Sequence, residues 1–418
     1  MRLLQGHLDR LGRIGLMRRR AKASKGSEQM TVKRSDTKQS GKKEAAVIGL
    51  GNVGGALMVA LARMPLVGKV TLVDRDVFER ANLLTQNIMP ADVGKPKALV
   101  AARRLQRINP ALAVTAIVDD VANVPLGKLR GDVVACCLDS RRARAVVCSA
   151  AWRLGMPMVD SGVSTADGLL LARVTTYVPA KENPCIECAW DEQDYETLEQ
   201  SHPCDELSAD AAPTNSPLSL GMLAASLQAI EMEKCLAGDN AHWARGRQVM
   251  IDARNHTHYV TTLRRNPTCR FDHETWDIRP IRLDPGRATL NEVLHLGYRA
   301  GMKNGAVSLH VECQSFVTQM QCPRCGHAIE MLGLAGRLSP AQRVCRKCES
   351  PMRPVGLDTW DRLEVTRATA GLRKSTLGRL GIRRGDVLTI EDESGRRARM
   401  EIGTGRPRAT RPNRGVSA

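Results

Sequence analysis

The sequence predicts an α/β protein: a doubly wound parallel sheet with an antiparallel extension, followed by a smaller C-terminal domain built around a metal. Three observations predict it. From residue 43 onward, short apolar runs of strand length alternate with segments whose apolar residues recur at helical spacing. A glycine-rich loop joins the first such run to the first helical segment. Three Cys-x-x-Cys pairs, Cys185/Cys188, Cys322/Cys325 and Cys345/Cys348, carry the spacing of metal ligands.

Taken in order, residues 45–48 are a short apolar run suited to a buried parallel strand. Residues 52–64 read as a helix, 69–73 as a strand, 95–108 as a helix and 113–118 as a strand. Strand 132–137, helix 141–154 and strand 157–159 complete the doubly wound unit. Residues 169–178 are β-like, and 185–217 are polar and irregular, a long loop in expectation. Helix 218–236 and strands within 249–263 follow. Residues 278–287, rich in Pro and Gly, read as a linker; a helix near 290–298 opens a second unit, and 377–390 closes the ordered region. The expected domains are a basic tail over 1–43, a nucleotide-binding unit over 44–275, a ribbon unit over 276–360, a β-rich segment over 361–396 and a second basic tail over 397–418.

The bulk properties exclude some classes. With 418 residues and 43% hydrophobic residues, the chain supports two or three domains with cores. No apolar stretch approaches the ~20 residues that span a bilayer. Aromatics are 3%, too few for a base-stacking platform. The net charge of +18 is concentrated at the ends: residues 1–44 hold 13 Lys/Arg against 4 Asp/Glu, and residues 395–418 hold 7 Arg against 1 Glu. The body between them is nearly neutral, so contact with nucleic acid is an expectation for the tails and not for the substrate. Residues 1–26 are Arg-rich and acid-poor, a loose fit to a mitochondrial presequence; without a secretory hydrophobic region, the expected location is the cytoplasm. Cysteines of such a chain are expected as thiols or metal ligands and not as disulfides. Cys136, Cys137, Cys148 and Cys235 fall in expected core elements, and Cys313 in an expected strand.

The glycine loop is Gly49-x-Gly51-x-x-Gly54, with Asn52 inside it. Glycines let the backbone approach phosphate, and the helix N-terminus adds free N–H groups and partial positive charge. Asp74 ends the next strand about 20 residues on, where a carboxylate accepts ribose hydroxyls. To this point a nicotinamide dehydrogenase fits equally well. Asp76, Asn82, Gln86 and Lys97 then follow within one βα unit, and Asp139 ends the strand at 132–137. Lys97 at a helix start suits a triphosphate, and a carboxylate at Asp139 suits Mg²⁺ bridging phosphate oxygens. Hydride transfer needs neither.

With these motifs in this order, residues 43–273 resemble the ubiquitin-activating-enzyme-like adenylyltransferases, the ThiF/HesA/MoeB superfamily. The resemblance rests on Gly49–Gly54, Leu72–Val77, Asn82 with Gln86, Gly94–Ala98, Asp132–Asp139, Pro184–Cys188, Ser226–Ala229 and Arg265–Cys269. It implies a Rossmann-like fold and ATP·Mg²⁺-dependent adenylation of the C-terminal carboxylate of a ubiquitin-like or sulfur-carrier β-grasp protein. By that likeness Asp74 holds the ribose, Lys97 neutralises phosphates and Asp139 binds Mg²⁺. A homodimer is implied, with a sulfur donor or conjugating enzyme downstream. Where the family has Asn-x-x-Arg-Gln, this chain has Asn82-Leu83-Leu84-Thr85-Gln86, and a hydroxyl does not replace a guanidinium fork. Either Arg75 or Arg80 substitutes, a second subunit does, or activity is weak or lost. Arg13, within Arg10-Leu11-Gly12-Arg13, is a candidate for the arginine that reaches a partner subunit's site. Cys204 is a candidate thioester nucleophile, with His202 beside it.

The same resemblance implies a structural zinc at Cys185, Cys188 and Cys269. Asp272 stands at the fourth cysteine position, and His273 is the expected fourth ligand because three thiolates and an imidazole make an ordinary tetrahedral site. Cys322, Cys325, Cys345 and Cys348, with nineteen residues between the pairs, form a zinc-ribbon pattern and a second site. Two other readings remain: a non-catalytic module that binds a carrier or peptide, favoured by Thr85, and a tRNA-modifying dehydratase of the same superfamily, favoured by the basic tails.

Overall fold

The computed structural model describes residues 29–31, 41–199, 216–302, 306–355, 359–364 and 373–403. Its first sheet takes strands β1 (Gln29–Thr31), β2 (Lys43–Ile48), β3 (Val67–Val73), β4 (Ala113–Ile117), β5 (Val133–Cys136), β6 (Met158–Ser164), β7 (Leu171–Tyr177), β8 (Arg247–Asp252) and β9 (Thr257–Thr262). Helices α1 (Asn52–Leu61), α2 (Lys97–Ile108), α3 (Arg141–Leu154), α4 (Glu192–Glu199) and α5 (Leu218–Ala237) connect and cover it. The strand order is β1-β4-β3-β2-β5-β6-β7-β8-β9, with β2 to β6 parallel and β7 to β9 antiparallel. The chain winds from β2 outward through β3 and β4, then returns to β5 on the other side of β2. The crevice between the carboxyl ends of β2 and β5 is therefore the topological switch point, where open α/β sheets bind ligands.

Local chemistry explains the boundaries. The last four residues of β2 are buried, as a strand covered on both faces requires. Ser140 caps α3 by accepting the Ala143 N–H, and Gly155 ends it in the left-handed region. One core packs Leu57, Leu105, Ala224 and Met232 against the sheet; the other packs Val147, Trp152 and Met158 on the opposite face.

The C-terminal unit holds β10 (Ile278–Arg282), α6 (Leu290–Arg299), β11 (Ser308–Val311), β12 (Phe316–Gln321), β13 (Ala328–Leu334), β14 (Arg353–Pro354), β15 (Thr359–Trp360), β16 (Arg362–Glu364), β17 (Val387–Glu391) and β18 (Arg397–Gly403). One sheet has the order β10-β18-β17-β11-β16; a smaller one pairs β12 with β13, β14 and β15. The unit is tied to the first sheet's domain by Arg130–Glu401 at 2.7 Å, Ser149 donating to Glu312 at 2.9 Å and Arg337 donating to the Asn123 carbonyl at 3.1 Å.

Several expectations need correction. Residues 278–282, read as linker, form β10, because pairing with β18 more than 100 residues later satisfies their backbone. Residues 397–403, placed in the basic tail, are that partner strand, so one sheet draws strands from both sides of residue 360. The expected loop from 185 contains α4, held by acidic side chains on Arg270 and Arg141. Cys313 lies in a turn, exposed and with φ of +57°, and not in a strand. No helix among the described residues is long and apolar enough to cross a membrane.

Candidate functional site

The glycine loop leaves β2 and enters α1 with no room for a side chain at Gly49 or Gly54. A Cβ on Gly54 would overlap the Gly49 carbonyl oxygen, and one on Gly49, whose φ is +87°, would sit 2.8 Å from the Cys137 carbonyl. The loop is thereby pressed onto the end of β5. Asp74, at the end of β3, accepts the Leu50 N–H at 2.6 Å and the Asp76 N–H at 2.8 Å, which fixes its carboxylate under the loop. Burial raises its pKa from the usual carboxylate range to about 6, and the nearby Lys97 charge offsets this only in part.

Lys97 begins α2 directly after Pro96. Its side chain is one-tenth exposed, donates to Asp76 Oδ2 at 2.9 Å and lies over the Phe78 ring. Gln86 lies beside Gly51, and its Oε1 is buried without a partner among the described residues. Asn82 Oδ1 instead accepts the Glu79 N–H and caps a short helical turn. Asn52 Nδ2 donates to the Ser216 carbonyl at 3.0 Å, tying the loop to the start of α5, while its Oδ1 is buried and unpartnered among the described residues. Asp139, past β5, is exposed, with Oδ1 accepting the Ser140 N–H at 2.8 Å. Glycine loop, Asp74, Lys97 and Asp139 thus border one switch-point crevice. Of the candidate substitutes for the arginine missing at Thr85, Arg75 is paired with Asp120 at 2.9 Å, and Arg80 is exposed. Arg13 and Cys204 lie outside the described residues.

The ligand atoms of Cys185, Cys188, Cys269 and His273 lie within 4.8 Å of one another. Cys185 Sγ is 3.8 Å from Cys188 Sγ and 3.7 Å from Cys269 Sγ. A tetrahedral ion with bonds of about 2.3 Å demands sulfur separations of about 3.8 Å, so the set fits zinc. His273 Nδ1 meets the Phe271 carbonyl at 2.7 Å, which leaves Nε2, 3.3 Å from Cys188 Sγ, as the nitrogen that could take an ion. Asp272 turns away to pair with Arg153. Cys322, Cys325, Cys345 and Cys348 form a second set, with sulfur separations of 3.4 to 3.6 Å. Each of its knuckles closes with a residue of positive φ, Gly326 or Glu349, that donates to the carbonyl of the first cysteine.

Sequence reasoning missed a buried ion cluster at the same edge. Arg144 of α3 and Arg173 of β7 both donate to Asp160 of β6, which is fully buried. A charged residue inside the apolar run Met158-Val159-Asp160 was the available signal. It also missed why Gln228 matters: its amide donates to the Cys136 and Val159 carbonyls and accepts the Cys137 thiol, clamping α5 to the ends of β5 and β6.

Residues 27–271 match the ThiF family. The molybdopterin-synthase adenylyltransferase of Escherichia coli is 31% identical over 227 residues, covering 53% of this chain and 84% of its own length. The sulfur carrier protein adenylyltransferase of Thermus thermophilus is 31% identical over 226 residues, 53% of this chain and 79% of that one. The SAMP-activating enzyme E1 of Haloferax volcanii is 31% identical over 229 residues, 53% and 77% of the two chains.

Proposed function

The chain belongs to the ThiF family and is an ATP-dependent adenylyltransferase, and we propose that it activates the C-terminal carboxylate of a small sulfur-carrier or ubiquitin-like protein. The observation that carries this reading is the switch-point crevice, bordered in a chain of this family by a glycine loop, an acceptor carboxylate, a buried lysine and an exposed carboxylate.

In the proposed reaction a carboxylate oxygen of the carrier attacks the α-phosphorus of ATP. The bond from that phosphorus to the bridging oxygen breaks, pyrophosphate leaves with its electron pair, and an acyl-adenylate remains. The loop amides of residues 51–54 cradle phosphate, and Asp74 accepts ribose hydroxyls. Lys97 exchanges Asp76 for phosphate oxygens, stabilising the charge that builds on the leaving group. Asp139 would hold Mg²⁺, which supplies further neutralisation of the triphosphate. Zinc at the two four-ligand sets, a homodimer in which Arg13 reaches the partner, and transfer to Cys204 or a downstream enzyme belong to the same proposal.

The test is ATP–pyrophosphate exchange by the zinc-loaded protein with a panel of carriers ending in Gly-Gly. Carrier-dependent exchange that falls about 100-fold or more in both Lys97→Ala and Asp139→Ala is expected. No exchange with any carrier would overturn the reading. The KM for ATP should rise as pH falls through about 6, because the protonated Asp74 is a poorer acceptor for ribose hydroxyls.

A further inference from the structure

Arg173 sits opposite Gly162 in the β6/β7 ladder, and Asp160 sits opposite Cys136 at the end of β5. Arg173 is therefore level with the chain just past β5 that carries Asp139, and two strands over, about 10 Å. The sheet order places β3 and β2, with Asp74 and the glycine loop, on one side of Asp139 and β6 and β7 on the other. A nucleotide on the first side leaves the second for the acyl substrate.

The cluster there is built, and it carries excess charge. Arg144 and Arg173 share one carboxylate, so a single positive charge is uncompensated within the trio. Arg144 is buried, but the Arg173 side chain is 30% exposed. Arg173 donates from Nη1 to Asp160 at 2.9 Å, while its Nε and Nη2 have no protein acceptor among the described residues. Those two N–H groups make the edge of a guanidinium that grips an oxyanion with two parallel bonds. The floor beneath is Gly162, where a Cβ would stand 2.8 Å from Arg144 Nη2 and 3.5 Å from both Nε and Nη2 of Arg173. The missing side chain leaves room for the Arg144 guanidinium that braces the fork.

We propose that Arg173, braced by Asp160 and Arg144 over Gly162, is a positioning residue that takes the C-terminal carboxylate of the acyl substrate as it enters the crevice. This rests on the adenylation reading above. Phosphate shares the oxyanion chemistry, and the test separates the two sources.

The probe is a ten-residue peptide ending in Gly-Gly with a ¹³C-labelled terminal carboxylate, compared with its C-terminal amide, titrated into the full zinc-loaded chain. The acid should bind at least about 10-fold more tightly than the amide, the scale of a hydrogen-bonded charge. Arg173→Met should abolish that preference and leave the Kd for ATP unchanged. Arg173→Lys should restore it only in part, because a point charge does not replace the fork. Gly162→Ala keeps every charge and should also weaken the acid, which covers the case that Arg173→Met does not fold. Acid and amide binding alike to the unaltered chain, or a preference that survives Arg173→Met, overturns the proposal. So does a rise in the Kd for ATP in Arg173→Met, since phosphate would then be the ligand. Pyrophosphate exchange that persists in Arg173→Met with an unchanged KM for the carrier sinks the anchor but leaves the adenylation reading intact. Acid preference without any exchange does the reverse.

Discussion

The two four-ligand clusters look alike in chemistry and differ in what they hold. Cys185 and Cys269 are 84 residues apart, and their cluster joins the end of β7 to the segment after β9. It packs on the main core: His273 stands edge-on to Trp152 at 5.6 Å, and Trp152 is fully buried. The other cluster spans 26 residues from Cys322 to Cys348 and rests on four buried residues, Val317, Met320, Leu338 and Met352. With the proposed zinc bound, the first would be a cross-link in a domain that already has a core, closing a long loop. The second, with zinc bound, would stand in for a core in a module with few apolar residues of its own. Losing the first should therefore be felt across the large domain, whereas losing the second should be felt locally.

The largest effect should come from Cys269→Ser. Zinc content should fall from two to one per chain, with about 4 kcal/mol or more of stability lost. For a domain of this size that lowers Tm by about 10 °C, read by calorimetry. A change under about 2 °C would mean that the two clusters do not differ as described.

Arg337→Met tests how far the small module is uncoupled. Its guanidinium pairs with Asp386 inside the C-terminal unit, both side chains nearly inaccessible, and also reaches the Asn123 carbonyl of the first domain. Removing it strands a buried carboxylate, which costs about 3 to 5 kcal/mol in urea unfolding. The double change Arg337→Met, Asp386→Leu should recover most of that loss, since no unpaired charge remains.

Cys345→Ser should also remove one zinc but leave the Tm of the large domain within about 2 °C. Faster amide hydrogen exchange should be confined to 316–354. Spread of that protection loss into β2 or β5 would break the comparison.

The smallest effect belongs to His273→Cys, which exchanges one type of proposed zinc ligand for another. Metal should be retained, with Tm shifted by about 2 °C or less. Loss of zinc would show that the imidazole and its bond to the Phe271 carbonyl orient the site, and not donor number alone.

Much of the candidate site was legible in the sequence. Gly49, Asp74, Lys97 and Asp139 could be named because each directly follows a strand, opens a helix or, for Asp139, stands in the short turn between β5 and α3, and hydrophobic periodicity locates such junctions. The linker reading of 278–287 failed over 278–282, because Pro and Gly mark turns only when the backbone lacks a partner, and held over the turn at 285–287. Pro280 is tolerated in β10, which lies at the edge of its sheet. Cys313 was misplaced because its apolar neighbours in β11 and β12 hid the turn between them.

The sequence by itself determined what short spacing encodes: the phosphate-loop glycines, the three Cys-x-x-Cys pairs and the alternation of strand and helix. Those depend on backbone geometry within one turn or one loop. Only the tertiary structure decided that β10 would pair with β18, that Arg337 would find Asp386, and that Arg144 and Arg173 would share Asp160 over a glycine. Each of these joins separate elements, and periodicity states that a residue is inside without stating what it will meet there.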